Sequence, residues 1–185
     1  MLGRSPEALT DASNSTASLG IYVLGAQPPT PAGPPPKIYN LIIDQFDVEN
    51  NPRYKKDTYT YCNIFVKDVI MAMGVSGISK GDIGAGNMIN TIFNAVGGSW
   101  IAVDAKDAQT AANTGYLTVA GWLNPGPGNN HVQIVRPEPS SHGIINDNTP
   151  VVAQAGSNNF NCGNASKGNS QYKNQIYWYY YPSNK

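Results

Sequence analysis

Charge is scarce in this sequence. Only 13% of its 185 residues are charged, and 12 basic and 12 acidic side chains leave no formal net charge. A chain without a Lys/Arg-rich stripe lacks the electrostatic footprint of a nucleic-acid-binding protein, so we expect no nucleic-acid partner. No run of about 18 apolar residues is present, so no membrane span is predicted. The polar residues 1–18 lack the apolar stretch of a secretory signal, and no signal peptide is visible in this chain.

Cysteine and histidine are also rare, with two of each. Cys62 and Cys162 could form one disulfide, but two cysteines do not make a disulfide framework. Neither C-x-x-C nor H-E-x-x-H occurs, so the sequence predicts no metal site of these kinds. Asp44, Asp47 and Glu49 lack the spacing of a calcium-binding EF-hand loop, and we interpret them as a solvated turn.

Composition divides the chain into two parts. Residues 1–37 end in a proline-rich stretch at 26–36, which predicts an N-terminal arm or linker of polyproline II type. Residues 20–25 within this part could form a short strand or an anchor. Residues 38–185 are predicted to form one domain, because the 41% hydrophobic content is sufficient for a core.

Hydrophobic periodicity predicts helices followed by strands. The helices are expected at residues 39–46, 63–73, 87–96 and 105–113, the last with Asp104 as its N-cap and Gly115 just past its end. Because Ile64 and Met71 widen its apolar face, the helix at 63–73 is expected to be buried nearly all round. Strands are expected at residues 116–122, 131–136, 151–155 and 175–181. This order indicates an α+β fold with an antiparallel sheet.

Two segments suggest cysteine-based chemistry. Cys62 starts the helical run YCNIFV at 61–66, and His131 starts the strand-like run in NHVQIV at 130–135. The positive end of a helix dipole favours thiolate, and a histidine from another element can pair with it, as a cysteine nucleophile requires. Each residue alone has a structural alternative, since cysteine at such a position often packs as a small core residue.

Gln154 is the candidate third member of this site. It lies in the apolar segment VVAQAG at 151–156, where a glutamine is costly to bury unless it is hydrogen-bonded. Its side-chain oxygen could accept the proton of one imidazole nitrogen and orient the ring. His142 is interpreted as part of an exposed loop, and Cys162 as part of a polar loop without a helix start to activate it.

Four further residues are candidates for lining a groove that binds a glycan or a peptide stem: Tyr54, Tyr61, Asn63 and Trp122. The alternative for the aromatic members is ordinary packing in the core.

Four segments together carry a resemblance: YCNIFVKDV at 61–69, MG at 73–74, NHVQIVRP at 130–137 and AQAG at 153–156. They resemble papain-like bacterial peptidoglycan hydrolases of the NlpC-type and CHAP-type superfamily, over roughly residues 39–181. The chain is also similar to type VI secretion amidase effectors. The resemblance implies a helical lobe that carries Cys62 and an antiparallel sheet that carries His131 and Gln154.

The same resemblance implies roles for these residues. Cys62 would be the nucleophile, His131 the general base and acid, and Gln154 the residue that orients the imidazole. The backbone N–H of Cys62 would contribute to the oxyanion hole. No metal or organic cofactor is expected for this chemistry.

The function implied is hydrolysis of an amide bond in the peptide part of bacterial peptidoglycan, in the cell wall, the periplasm or the extracellular space. A phage endolysin, a secreted effector and an autolysin remain open, and an effector would bring an immunity protein or a secretion apparatus as partner. A cysteine protease or transpeptidase acting on another substrate is an alternative, and so is a non-catalytic wall-binding module.

Overall fold

A computed structural model describes residues 35–75, 78, 84–124, 130–138, 149–168 and 176–182. The chain divides into two compact units, Met1–Pro31 and Ala32–Lys185, and all described residues belong to the second. The segment at 20–25 and most of the predicted arm lie outside the described residues. Pro36 and Lys37, which we assigned to the arm, form the first turn of a helix.

The described elements are five helices, six strands and one 3-10 turn. The helices are α1 (Pro36–Asp44), α2 (Cys62–Ala72), α3 (Ala85–Asn94), α4 (Ala105–Asn113) and α5 (Ala165–Gly168), and the 3-10 turn is Pro52–Tyr54. The strands are β1 (Ile101–Val103), β2 (Leu117–Trp122), β3 (His131–Val135), β4 (Val151–Gln154), β5 (Phe160–Asn164) and β6 (Tyr177–Tyr181). They form an antiparallel sheet in the order β1-β6-β2-β3-β4-β5. The mixed α+β architecture is therefore as predicted.

Local signals place α4 correctly at both ends. The Asp104 carboxylate accepts a hydrogen bond from the Asp107 N–H at 2.8 Å, which satisfies one of the free donors of the first turn. Gly115 follows the helix with a positive φ of 92°, a conformation that favours glycine.

Helix α2 is buried on one side only. Phe65, Val66, Val69 and Ile70 are fully buried, and the helix packs against β3 and β4. Met71, however, is 51% exposed. The prediction that this helix is buried nearly all round is wrong, because its last turn is exposed at Met71 and Ala72.

Strands β1 and β5 were not predicted. β5 contains Cys162, so the prediction that this cysteine lies in a polar loop is wrong. The strand is polar in sequence but is stabilised by pairing with β4 and by the Asn161 N–H, which donates to Glu49 Oε1 at 2.9 Å. Neither Cys62 nor Cys162 forms a disulfide.

The centre of the sheet positions the start of β3. Every residue of β2 is buried, which indicates that both faces of this strand are covered. At Gly121 an added Cβ would lie 2.6 Å from Ile89 Cγ1, so α3 packs directly on the strand backbone. The Tyr39 hydroxyl donates to Val135 O at 2.9 Å and accepts from the Thr118 N–H, which ties α1 to β2 and β3.

An ion pair between the buried Arg136 and the partly exposed Asp44 fixes the other end of β3. Arg136 is fully buried and donates to Asp44 Oδ1 at 2.9 Å, to Asn40 Oδ1 at 3.1 Å and to Asn161 O. Asp44 is thus a structural anchor, as is Glu49 through its bond to Asn161. Our interpretation of a solvated turn is corrected for Asp44, which ends α1 and binds Arg136, whereas Asp47 and Glu49 are exposed as expected.

Two features are absent from the described part of the chain. It contains no group of three or more His, Cys, Asp and Glu side chains that could hold a metal ion. None of its helices combines the length and apolar character needed to cross a bilayer.

Candidate functional site

The thiol of Cys62 lies where α2 meets the sheet. Cys62 is the first residue of α2, and the N-cap residue Tyr61 makes no side-chain capping hydrogen bond. The sulfur instead has hydrogen-bond donors around it: the backbone N–H groups of Cys62, Asn63 and Val132, and the side chain of Thr60. Val132 directly follows His131, so the thiol is held against the start of β3.

His131 is oriented by Gln154. The imidazole Nε2 lies 2.8 Å from Gln154 Oε1, which is the contact expected from the sequence. The amide of Gln154 has a defined direction, because its Nε2 donates to the carbonyl of Asn158 at 2.9 Å. Since a carbonyl oxygen only accepts, His131 carries its proton on Nε2. Its Nδ1 is then an unprotonated acceptor.

Gln133 is a fourth residue of this site, which was not predicted from the sequence. Its Nε2 donates to the same Gln154 Oε1 at 2.6 Å, and its side chain is fully buried on β3. The signal was available, since Gln133 is a glutamine within an apolar strand, the same feature that identified Gln154.

Gly156 is a second residue that the sequence analysis did not select. A Cβ at this position would lie 3.2 Å from His131 Cε1 and 3.4 Å from Gln154 Nε2. The imidazole therefore packs closely against the backbone that follows β4, and a side chain there would press on it.

Burial shifts the two titrating groups in opposite directions. Desolvation raises the pKa of the Cys62 thiol above its ordinary value and outweighs the N–H groups of Val132, Asn63 and Cys62 that lower it. Desolvation also lowers the pKa of His131, against the opposing effect of its bond to Gln154. Both shifts favour the neutral forms, a thiol and an imidazole. The helix dipole alone predicts a thiolate, but Cys62 is only 2% exposed and desolvation has the larger effect on its pKa.

A polar cleft of about 510 Å³ opens beside the thiol. Its wall comes from the loop before α2, the first turns of α2 and α3, and the chain next to His131 and Gly156. The lining residues are Lys56, Thr58, Tyr59, Thr60, Cys62, Asn63, Gly84, Ala85, Gly86, Asn87, Asn130 and Ser157. A substrate in this cleft would lie next to the sulfur.

Asn63 and Tyr61 differ in their relation to this cleft. Asn63 belongs to the wall, as the sequence analysis proposed. Tyr61 is adjacent to Cys62 but is not part of the wall, and its hydroxyl donates to Asp57 Oδ2 at 2.7 Å. Tyr59, which is 73% exposed, is the aromatic side chain that does line the cleft.

The two other predicted groove residues are in the core. Tyr54 is 1% exposed, its ring packs edge-on against Phe65, and its hydroxyl donates to Asp68 Oδ2 at 2.7 Å. Trp122 is 3% exposed and lies opposite His131 in the β2–β3 register. Their assignment to the groove is corrected: both rings are buried by packing, and Trp122 is a cross-strand neighbour of the histidine.

His142 lies outside the described residues.

No model of a known protein family matches this chain, and no curated protein matches it significantly.

Proposed function

We propose that this protein is a cysteine amidase or endopeptidase of papain-like fold that cleaves an amide bond in the peptide part of bacterial peptidoglycan. The observation that carries the proposal is the junction between the start of α2 and the start of β3. There the backbone of Val132, which directly follows His131, is among the groups that lower the pKa of the Cys62 thiol, and His131 is hydrogen-bonded to Gln154. A nucleophile, a base and an orienting group from three separate elements are what acyl transfer requires.

The chemistry follows from the protonation states. His131 Nδ1 takes the thiol proton as Cys62 attacks the carbonyl carbon, and Gln154 holds the Nε2 proton throughout. The backbone N–H of Cys62, in the first turn of α2, helps to stabilise the oxyanion that forms as the sulfur attacks. The imidazolium then protonates the leaving amine. Water attacks the resulting thioester, with His131 again as the base, and releases the acyl product.

Two features support a polar, extended substrate such as the peptide stem of peptidoglycan. The cleft beside the thiol is open and is lined mainly by hydroxyl, amide and glycine residues, with Tyr59 as an exposed aromatic. The sequence segments around Cys62, His131 and Gln154 resemble cell-wall amidases. The site of action in this proposal is the cell wall, the periplasm or the extracellular space.

The test is digestion of purified sacculi by the wild type, Cys62→Ala and Cys162→Ala. We expect soluble muropeptides from the wild type and from Cys162→Ala, since Cys162 is on β5 and is not part of the cleft wall. Cys62→Ala should release none. Mass analysis of the new termini would identify the bond that is cleaved.

The alternatives predict different results. A transpeptidase would transfer the acyl group to an added amine instead of water, and a protease would leave sacculi intact while cleaving a protein substrate. A wall-binding module would sediment with sacculi and release nothing. Release by Cys62→Ala at the wild-type rate would refute the cysteine mechanism.

A further inference from the structure

We propose that Gln133 is a positioning residue that keeps His131 in the Nε2–H tautomer by fixing the amide of Gln154. This inference rests on the proposed role of His131 as the base, since a base needs its Nδ1 lone pair free for the thiol. Gln133 does not touch the thiol or the cleft; it acts through Gln154.

The sheet register brings these side chains together. β3 and β4 are antiparallel, with Ile134 opposite Ala153 and Val135 opposite Val152. Continuing this register by one residue places Gln133 opposite Gln154. His131 is two residues before Gln133, so it projects from the same face of the strand and reaches Gln154 diagonally.

Two backbone carbonyls determine the direction of every hydrogen bond in this group. Ala165 O accepts from Gln133 Nε2 at 3.5 Å, and Asn158 O accepts from Gln154 Nε2 at 2.9 Å. Each amide therefore has its NH₂ toward a carbonyl that can only accept. Gln154 Oε1 is left to accept from both Gln133 Nε2 and His131 Nε2. A rotated Gln154 amide would set its NH₂ against that of Gln133 and would favour the Nδ1–H tautomer.

The arrangement also leaves one group unsatisfied. Gln133 Oε1 is buried and has no hydrogen-bond partner among the described residues. An orphaned buried acceptor destabilises the fold, and an apolar residue of similar shape would avoid it. The presence of Gln133 two residues from His131, despite this cost, fits a functional role of its Nε2 donor better than a contribution to stability.

The test compares the wild type with Gln133→Met, Gln133→Glu and Thr118→Val. Thr118→Val is the matched control, because Thr118 is a fully buried polar residue on β2 that is not part of the site. Nitrogen-15 long-range NMR of the two histidines reports the tautomer, with His142→Ala to assign the signals. The alkylation rate of Cys62 by iodoacetamide and the kcat on sacculi are measured alongside.

We expect the wild type and Thr118→Val to show the Nε2–H tautomer of His131. Gln133→Met should add a detectable Nδ1–H population and lower kcat roughly two- to tenfold, the worth of one hydrogen bond, with KM unchanged and thermal stability equal or higher. In Gln133→Glu, ionisation sets a second acceptor against Gln154 Oε1. Because a buried glutamic acid titrates at about pH 8–9, the Nδ1–H form should grow as the pH rises through that range, and alkylation of Cys62 should change with it.

An unchanged tautomer and alkylation profile in both Gln133 variants would overturn the inference, as would an Nδ1–H tautomer in the wild type. If Gln133→Met does not fold, Gln133→Glu at pH 7 against pH 10 decides the question. The tautomer and alkylation measurements need no cell-wall substrate. A tautomer shift without sacculus digestion by the wild type would therefore refute the proposed substrate and leave the role of Gln133 standing.

Discussion

Gly156→Ala tests whether the position of the imidazole controls turnover. The added Cβ would lie 3.2 Å from His131 Cε1, whereas carbon atoms pack best at about 3.5–4.0 Å. The φ of Gly156 is not in the left-handed region, so alanine is not strained by the backbone there. The ring must give way by roughly 0.3–0.5 Å, which lengthens its 2.8 Å bond to Gln154 or turns Nδ1 away from the thiol.

The size of the effect follows from this displacement. Misplacement of a catalytic group by about 1 Å costs on the order of 100-fold in rate, so a few tenths of an ångström should lower kcat roughly fourfold to tenfold. Stability should change by less than about 1 kcal/mol, because alanine also restricts the unfolded chain. The assay is kcat and KM for muropeptide release, with urea unfolding on the same samples.

Gly98→Ala is the matched control. Its Cβ would meet only Ala95 O, at an ordinary 3.6 Å, in the turn after α3. We expect wild-type kcat from this variant. We also expect Gly156→Ala to lower kcat less in a Gln154→Ala background, because the effects of substitutions at neighbouring residues are not additive. A folded Gly156→Ala variant with wild-type kcat would refute the view that this packing positions the imidazole.

Three further predictions concern titration, orientation and stability. The lowered pKa of His131 keeps the imidazole neutral to lower pH, so the acid limb of the kcat/KM profile should lie below about 6.5. The raised pKa of Cys62 keeps the thiol protonated to higher pH, so the plateau should be wide. An acid limb above 7 would contradict the stated shifts. Gln154→Ala should lose less activity than Cys62→Ala or His131→Ala. Gln154→Glu should retain more activity than Gln154→Ala. In a pH–rate series the glutamate variant should also move the acid limb to higher pH, since a carboxylate raises the pKa of His131. Arg136→Met should destabilise the fold by roughly 3 kcal/mol in urea unfolding, because it leaves Asp44 without its buried partner, and an unchanged midpoint would show that the ion pair contributes nothing.

Short-range patterns were sufficient for most helices and strands. Asp104 and Gly115 marked the ends of α4, since capping and a positive φ are properties of a few neighbouring residues. The strand that starts at His131 and the helix that starts near Cys62 followed from their hydrophobic periods. β5 was missed because its polar residues are satisfied by distant partners, such as Glu49 for the Asn161 N–H, which no local pattern encodes.

The candidate site shows the same division. Cys62, His131 and Gln154 could be chosen from the sequence, because a cysteine at a helix start, a histidine at a strand start and a glutamine in an apolar strand are each unusual locally. The direction of the pKa shift of Cys62 could not be predicted from the sequence. The helix dipole alone predicts a thiolate, but the dipole competes with desolvation, and the extent of burial is known only after the helix has packed on the sheet.

The sequence by itself thus determined most of the helices and strands, the α+β class and three candidate residues of the site. Only the tertiary structure decided which further residues support them. The β3–β4 register brings Gln133 to Gln154, and the close approach of the chain after β4 brings Gly156 to His131. Packing likewise placed Tyr54 and Trp122 in the core and Tyr59 in the cleft. The physical reason is that register, burial and desolvation depend on residues far apart in the chain, whereas helix caps and hydrophobic periods depend on near neighbours.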